Sequence, residues 1–402
     1  MRAILDLDTG VDDALAVAYA VAQPELDLIG VVASYGNVAR ATAVRNTHAV
    51  LELLGRSDVP VMPGARWPSW ASGFVPDVGC AEFHGLNGLG ELNAAHYGAQ
   101  TATEGTALAQ EPLGSVDRSA WQGHATDIAR LGITPETISV GGYPMPDAHA
   151  LPAAGKGNYA ALSAAVAGVA SDSAAFDSAT PGAQFIADAV ARYGTSVTVI
   201  STGPLTDVAA ALQINPRIAR QLRLVMMGGA LTVPGNCYDG VAEANIIHDP
   251  EAANAVFHSG ADVVMVGLDV THRCLFGPER AERWRGLDTA AAHFLADLAD
   301  FSIRANATAG AEFTAGMALH DPLAVAVACN PNLVRTLDLP LRVELATADG
   351  AGVRGRTTGD PLQIGQIVSG ELCESPRTHV AVEVRAEQFV EQFSESISAF
   401  VR

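Results

Sequence analysis

The chain has 402 residues, of which 49% are hydrophobic and 17% are charged, so it can bury the core of one large domain or two ordinary ones. Its formal net charge of -20 repels phosphate backbones, and its 24 lysines and arginines are scattered, which argues against a nucleic-acid partner. The five cysteines are far apart, so neither a disulfide framework nor a zinc site is indicated, and a reducing cytoplasm is the expected location. Asp6 interrupts the first apolar run and no later run could cross a bilayer, so we expect neither a signal peptide nor a membrane partner.

Short apolar runs alternate with amphipathic stretches from the first residues onward. They predict alternating strands and helices at 3–7, 14–21, 26–33, 43–54, 196–200, 205–212, 222–227, 250–257, 262–266, 379–384 and 386–400. Because this alternation builds parallel sheets covered by helices, the predicted fold class is α/β, with an open, mostly parallel, Rossmann-like sheet and helices on both faces. Residues 1–402 are therefore interpreted as a single domain.

Residues 91–180 interrupt this pattern with a composition rich in Ala, Gly, Ser, Thr and Pro, although 159–170 has helical character. Long loops in compact domains are often functional, so two interpretations stay open: a surface excursion, or a lid over the active site. The segment carries side chains that could contact a ligand: His96, Tyr97, Trp121, His124, Tyr143 and His149.

Four carboxylates lie at the end of the first predicted strand or just beyond it: Asp6, Asp8, Asp12 and Asp13. Ligands of open α/β sheets bind beyond the carboxyl ends of strands, and Gly10 permits a turn that returns the last two aspartates to a helix N-terminus. Like charges this close need a cation or protons, and calcium accepts many carboxylate oxygens in irregular geometry. Helix capping or loop bonding explains a single aspartate, but it does not explain Asp8 and Asp13 together.

Two other aspartate-rich motifs are alternatives. An EF-hand is excluded because the twelfth position of its loop needs a glutamate, and Val17 stands there. A haloacid-dehalogenase-like phosphatase also begins with a strand, two alternating aspartates and a threonine, which Asp6, Asp8 and Thr9 provide. That class leaves the two aspartates behind Gly10 unexplained, so it is the less favoured alternative.

The run from Asp6 to Ala14 closely resembles the signature of the inosine-uridine-preferring nucleoside hydrolase family. Further segments match that family in its order: 35–37, 84–90, 201–207, 227–229, 235–236, 242–245, 268–272 and 320–324. The resemblance covers roughly 1–90 and 181–402. It implies calcium-dependent hydrolysis of ribonucleosides to ribose and free base, by a homo-oligomer that is a dimer or a tetramer.

The resemblance also implies roles for individual residues. Calcium (Ca2+) would be held by ligands from both ends of the chain: Asp8, Asp13, Asp321 and the backbone carbonyl of Thr202. The ribose would be bound by six further residues: Asp12, Asn37 and Asn245 beside the ring hydroxyls, Asn236 and Glu243 at the 5′-hydroxyl end, and Met227 below the ring.

The chemistry of the reaction supports these roles. Breaking an N-glycosidic bond builds positive charge on the ribose, so a carboxylate-rich pocket stabilises the transition state. A carboxylate beside the metal can take a proton from water, which makes Asp8 the predicted base. Histidine is easily tuned near neutral pH, so His320 is the predicted acid for the departing base, with His84 in support. His272 is expected to be structural.

Two positions depart from the family pattern. Asn87 stands where the family usually carries an aspartate, and Ala244 stands where it usually carries an aromatic residue. Both belong to loops around the sugar pocket, so they bear on substrate choice and leave the metal ligands intact. A second hypothesis is a catalytically silent ribose- or nucleoside-binding protein, but such a protein would need neither Asp8 nor His320.

Overall fold

The structure is a computed structural model that describes residues 1–74, 76, 78–100, 180–237, 240–309, 313–346, 352–360 and 376–402. Most of the interrupting segment, including the predicted helix 159–170, lies outside these ranges. Four of its ligand candidates lie outside them as well: Trp121, His124, Tyr143 and His149. The choice between a lid and a surface excursion therefore stays a prediction.

The main sheet has eight strands in the order β3-β2-β1-β4-β5-β6-β12-β9. These strands are β1 (Arg2–Leu7), β2 (Asp27–Ala33), β3 (Val61–Pro63), β4 (Val197–Ser201), β5 (Arg223–Met227), β6 (Asp262–Val266), β9 (Val334–Leu339) and β12 (Thr378–Val384). Seven run parallel, and β9 pairs antiparallel with β12 at one edge. Two small antiparallel pairs accompany the sheet: β7 (Leu275–Phe276) with β8 (Met317–Ala318), and β10 (Leu341–Val343) with β11 (Thr357–Gly359).

Helices cover both faces of the sheet. The α-helices in the described ranges are α1 (Val11–Val21), α2 (Arg40–Leu53), α3 (Val78–His84), α4 (Pro181–Tyr193), α5 (Thr206–Ile214), α6 (Ala244–His248), α7 (Pro250–Phe257), α8 (Leu268–Thr271), α9 (Pro278–Arg285), α10 (Ala290–Ala309), α11 (His320–Cys329) and α12 (Ala386–Phe400). Side chains alternate along β1, so Leu5 belongs to the core cluster that includes residues of α1, α10, α11 and α12, whereas Ile4 belongs to the cluster that includes residues of α4, α5 and α7. The predicted α/β class and two-faced sheet are confirmed.

The predicted elements differ from the observed ones mainly at their ends. Pro250–Phe257, Asp262–Val266 and Ala386–Phe400 have the predicted bounds, while the other predicted elements shift by a few residues. The apolar pattern predicted no helix at α9, α10 or α11 and no strand at β9. Four of the six residues of β9 are exposed, as expected of an edge strand, so it lacks the apolar alternation that marks a strand. Within the described ranges, every helix is too short or too polar to cross a membrane.

The strand order fixes where a ligand can bind. The chain leaves β1 for β2 on one side, and β4 lies on the other, so the order reverses between β1 and β4. In open α/β sheets, such a reversal opens a crevice beyond the carboxyl ends of the two strands. Asp8 follows β1 and Thr202 follows β4, which places both residues at that crevice.

Candidate active site

The loop between β1 and α1 depends on a glycine. Gly10 precedes the first residue of α1, and a Cβ atom there would collide with the side chains of His84 and Asn37. Only a residue without a Cβ lets an imidazole and an amide approach this backbone so closely. The glycine therefore brings residues from the ends of α3 and β2 against the N-terminus of α1.

Asp13 joins the ends of three strands. One carboxylate oxygen accepts a hydrogen bond from the Thr202 hydroxyl at 2.7 Å, and the other accepts from the Gly10 N–H at 2.8 Å and the Asn37 amide at 3.1 Å. These partners follow β4, β1 and β2 respectively. Asp13 is fully buried, so this network holds the three loops in a fixed arrangement.

Asp8 and Asp12 each keep a carboxylate oxygen that lacks a donor. Oδ2 of Asp8 accepts from the Asn37 N–H at 2.6 Å, whereas Oδ1 of Asp8 and Oδ1 of Asp12 are buried and meet no hydrogen-bond donor within the described ranges. A buried carboxylate oxygen without a donor is costly unless a cation binds it. These two atoms are therefore the first indication of a cation site.

Asp321 reaches the same place from the other end of the chain. It is the second residue of α11 and is 2% exposed. One carboxylate oxygen from each of Asp12, Asp13 and Asp321 lies within 4.8 Å of the others. Asp8 falls outside this set of three, but its carboxyl contacts that of Asp13. Asp12, assigned to the sugar by the family resemblance, therefore also belongs to the group of carboxylates that could hold a metal ion.

Burial and mutual repulsion raise the pKa values of these acids. Burial, followed by the charge of Asp13, raises the pKa of Asp8 well above its usual range. Burial, followed by the charges of Asp12, Asp13 and Asp8, does the same to the pKa of Asp321, and burial raises the pKa of Asp12 to about 6. Four acids cannot stay ionised together without a counter-charge, and their all-oxygen donor set suits a hard divalent cation. The cluster can therefore hold a metal ion.

Asn245 and Met227 form one wall beside this cluster. The side-chain amide of Asn245 donates to the Thr202 carbonyl at 2.7 Å and to the Met227 carbonyl at 3.2 Å. Met227 ends β5, and its Sδ lies 3.4 Å from the same amide nitrogen. The predicted carbonyl ligand of Thr202 is thus already fixed by Asn245, and it keeps a second lone pair for a cation.

Glu243 and Asn236 organise the neighbouring loop. The buried Glu243 carboxylate caps α6 and accepts three backbone N–H groups, those of Gly229, Asn245 and Ile246. Asn236 is exposed, and its side-chain oxygen accepts from the Ala244 N–H at 3.0 Å. Both residues therefore have structural contacts of their own beside the predicted role at the 5′-hydroxyl.

His84 and His320 each make a hydrogen bond through Nδ1. Nδ1 of His84 accepts from the Val11 N–H at 3.1 Å and lies 3.5 Å from Asp12 Oδ1, while Nδ1 of His320 lies 2.8 Å from the Thr271 hydroxyl. Burial lowers the pKa of His84 to about 4, and burial together with the charge of His272 lowers that of His320 to about 3. Both imidazoles are therefore neutral before any charge develops on a ligand.

Asn87 supports the loop behind His84. Its side-chain oxygen accepts from the Leu89 and Glu91 N–H groups, and its amide donates to the Leu92 carbonyl at 2.8 Å. An aspartate cannot make the last bond because its carboxylate has no donor. Asn87 therefore makes a hydrogen bond to this loop that the family's usual aspartate could not make.

Thr271 is the contact that sequence reasoning missed. It belongs to the matched run 268–272, in which it received no role, yet its hydroxyl binds the predicted acid His320. The interaction depends on α8 and α11 lying side by side, and nothing local in the sequence indicates that.

Comparison with known proteins agrees with this geometry. The family model described as inosine-uridine preferring nucleoside hydrolase matches residues 3–391, and the chain belongs to that family. The pyrimidine-specific ribonucleoside hydrolase RihA of Citrobacter koseri is 29% identical over 398 residues, which cover 99% of this chain and 98% of that protein.

Two solved structures resemble the whole fold. A purine-preferring ribonucleoside hydrolase from Gardnerella vaginalis is 34% identical with a TM-score of 0.72, over 100% of this chain and 99% of that one. A plant nucleoside hydrolase is 25% identical with a TM-score of 0.70, over 99% of both chains.

Proposed function

We propose that this protein hydrolyses the N-glycosidic bond of ribonucleosides and releases ribose and free base, with calcium as its metal. The observation that carries the proposal is the convergence of Asp13 and Asp321 from opposite ends of the chain beside the donor-free oxygens of Asp8 and Asp12. Family membership supports the reaction, because the relatives named above are ribonucleoside or nucleoside hydrolases.

The proposed ion site consists of the carboxylates of Asp8, Asp12, Asp13 and Asp321 with the Thr202 carbonyl. When bound, calcium would neutralise the cluster and polarise both the attacking water and the ribose hydroxyls. Each carboxylate offers oxygen ligands only, which is the donor chemistry that calcium prefers.

Asp8 is the proposed base. Its Oδ2 is held by the Asn37 N–H, whereas Oδ1 meets no donor in the described part of the chain and can accept a proton from water. Asp12 and Asn245 are proposed to bind the ribose hydroxyls, with Asn37 in the same floor. Asn236 and Glu243 would bind the 5′-hydroxyl end, and Met227 would pack below the ring.

The buried acids also favour the transition state. As the bond between C1′ and the base nitrogen lengthens, its electron pair moves to the base and positive charge grows on the ribose. Carboxylates already fixed beneath the sugar stabilise that charge more than they stabilise the neutral substrate. His320, with His84 in support, is proposed to relay a solvent proton to the departing base, since a neutral imidazole accepts a proton at one ring nitrogen as it gives one up at the other.

A panel of purine and pyrimidine ribonucleosides tests the proposal. Ribose release is measured on protein stripped of metal with a chelator, before and after calcium is added back. We expect release that requires calcium. Binding without release from any nucleoside would favour the silent binding protein. Ribose release that is unchanged after the metal is stripped would show that the reaction does not need calcium.

The proposal includes a cytoplasmic location, which the cysteine content predicts, and assembly into a homo-oligomer, which the family resemblance alone implies. Fractionation of the source cells tests the first. Light scattering on the purified chain tests the second, because a dimer or tetramer differs from a monomer by whole multiples of 41.5 kDa.

A further inference from the structure

We propose that Asn46 is a positioning residue that holds the loop at 84–90, here called the His84 loop, against the aspartate-bearing turn between β1 and α1. The inference rests on the proposed function and adds to it a residue outside the proposed ion and sugar contacts. The Asn46 side-chain amide donates to the Thr9 carbonyl at 3.2 Å and to the Asn87 carbonyl at 2.8 Å. Thr9 belongs to the turn and Asn87 belongs to the loop, so one side chain joins the two.

Asn46 is an unusual residue for its position. It lies in the interior of α2, where asparagine is a weak helix former, and it is 3% exposed. Burying an amide is costly unless hydrogen bonds satisfy it. An amide nitrogen carries two N–H groups and can serve both carbonyls at once, whereas a leucine or aspartate of similar size offers no such pair of donors. The bonds to the turn and the loop therefore account for an asparagine at this position.

The His84 loop approaches Asn46 closely because it carries a glycine at the point of contact. A Cβ atom at Gly88 would fall 2.8 Å from the Asn46 amide nitrogen and 3.0 Å from the Thr9 carbonyl oxygen. Gly88 also has a φ of 78°, which favours glycine over other residues. A residue with a side chain there would push the loop away from α2.

Packing alone does not hold the His84 loop. A cleft of about 160 Å³ lies beside it, and its lining includes Asn46, Asn87, Leu89 and Leu92. A segment that borders a cleft lacks packing contacts on that side. The tip of the loop is also open to solvent, since Leu86 is 70% exposed. The hydrogen bonds of Asn46 therefore matter more here than they would in a packed core.

The His84 loop in turn forms one wall of the candidate active site. Nδ1 of His84 accepts from the Val11 N–H at 3.1 Å and lies 3.5 Å from Oδ1 of Asp12, which is proposed to bind a ribose hydroxyl. If the loop shifts, the imidazole moves away from Asp12 and the pocket widens on that side. A misplacement of about 1 Å can cost about 100-fold in rate. Asn46 thus acts on the substrate through the position of His84.

The turn between β1 and α1 has supports that do not involve Asn46. The Thr9 hydroxyl lies 2.6 Å from the Thr47 hydroxyl, which donates to the Ala43 carbonyl at 2.8 Å. These bonds remain when Asn46 is replaced. Loss of the Asn46 amide should therefore release the loop and leave the proposed ion ligands in place.

Three variants test this role. Asn46→Leu keeps the size of the side chain and removes both donors, while Gly88→Ala displaces the loop from its own side. Asn254→Leu is the matched control. Asn254 is also a helical asparagine that fixes a backbone group, the Val343 N–H at 3.0 Å, but it lies in α7 on the other face of the sheet. A melting curve for each variant shows whether it is folded.

Asn46→Leu is expected to lower kcat/KM for the nucleoside that the wild type prefers by roughly 10- to 100-fold, with a rise in KM of about threefold or more. Calcium affinity, measured by calorimetry, should stay within about twofold of wild type because the turn keeps its other supports. Backbone amides of 84–90 should exchange with solvent faster, which mass spectrometry of the peptides measures. Gly88→Ala should show the same pattern, whereas Asn254→Leu should match wild type in all three measurements.

A purely structural asparagine would give a different result. Partial unfolding lowers kcat with the folded fraction and leaves KM unchanged, so an unchanged KM in Asn46→Leu would overturn the inference. Unchanged exchange at 84–90, or calcium affinity lost in step with kcat/KM, would overturn it as well. If Asn46→Leu does not fold, Gly88→Ala decides between the same outcomes.

Failure of the proposed function gives a separate result. A wild type that releases no ribose from any nucleoside would refute the proposed function and this inference with it. An active wild type with an unaffected Asn46→Leu would refute the role of Asn46 alone.

Discussion

The single aspartate Asp249 and the cluster of Asp8, Asp12, Asp13 and Asp321 lie near the same edge of the sheet, and these two acidic groups differ in what satisfies their oxygens. Asp249 is fully buried and accepts four hydrogen bonds, from the N–H and hydroxyl of Ser69, the hydroxyl of Thr206 and the N–H of Ala252. Asp8 is equally buried, yet one of its oxygens meets no donor in the described ranges and Asp13 lies beside it. Burial alone therefore does not mark a site.

The two groups differ in whether the protein's own hydrogen-bond donors suffice or a bound cation is needed. Asp249 uses its charge to tie the loop at Ser69 to α5 and α7, and protein donors supply all that it requires. The cluster of Asp8, Asp12, Asp13 and Asp321 has too few donors and too many like charges, so it is incomplete without a cation. The first group is expected to serve stability, and the second is expected to serve chemistry.

The largest expected effect is the loss of activity when Asp8 of the cluster is replaced. Asp8→Asn should lower kcat roughly 10²–10⁴-fold, because an amide cannot accept the proton from water. Ribose release under saturating substrate measures this effect. An Asp8→Asn protein with near wild-type kcat would remove Asp8 from the chemistry.

Replacement of Asp249 is expected to lower the stability of the fold and to leave activity unchanged. Asp249→Ala leaves four donors without their acceptor, two of them buried and two on the half-buried Ser69, so it should cost roughly 2–4 kcal/mol in the free energy of unfolding. Denaturant unfolding gives that value, and kcat of the remaining folded protein should equal that of wild type. If Asp249→Ala instead abolished turnover without loss of stability, the contrast between the two groups would be wrong.

Calcium should stabilise the folded protein through the cluster that contains Asp321, and not through Asp249. At a calcium concentration about 100 times Kd, the folded state gains about 3 kcal/mol, seen as a rise in Tm. Asp321→Asn should lose that rise and should be no less stable than wild type in metal-free buffer, since it removes a repelled buried charge. Asp249→Ala should keep the rise, and an Asp321→Asn protein that kept it would place the ion elsewhere.

The smallest expected effect is a pH dependence of the metal-free protein. Burial raises the pKa of Asp12 from 3.8 to about 6, so its contribution to stability is complete below about pH 4 and is lost as the pH rises through about 6. Wild type should therefore lose stability relative to Asp12→Asn over this interval. Added calcium should cancel the loss, because a bound cation favours the ionised carboxylate.

Thermal melts of both proteins at steps between about pH 4 and 7 measure this difference. Parallel curves for wild type and Asp12→Asn would contradict it.

Local sequence patterns predict the sheet and the position of Asp8. The doubly wound sheet was predictable because strands such as β5 and β6 are short, apolar and separated by helical stretches. The position of Asp8 was predictable because it directly follows β1. The convergence of Asp321 with Asp13 was implied by family resemblance alone, since nothing local links residues 308 positions apart.

The remaining features depend on tertiary packing. The contact between Thr271 and His320 requires α8 and α11 to pack together, and side-chain spacing along the chain does not encode that. Glu243 was assigned to the sugar, but its hydrogen bonds to Gly229 and Ile246 show a helix cap that also fixes the neighbouring loop. Local patterns thus predicted the elements, whereas the pairing of distant loops required the structure.

Calcium titration calorimetry on metal-free wild type and Asp321→Asn tests the central claim most directly. The account predicts one ion bound per wild-type chain, with ribose release restored in proportion to the occupied fraction, and no binding at that site by Asp321→Asn. Equal binding by both proteins, or full ribose release by wild type at zero occupancy, would contradict it.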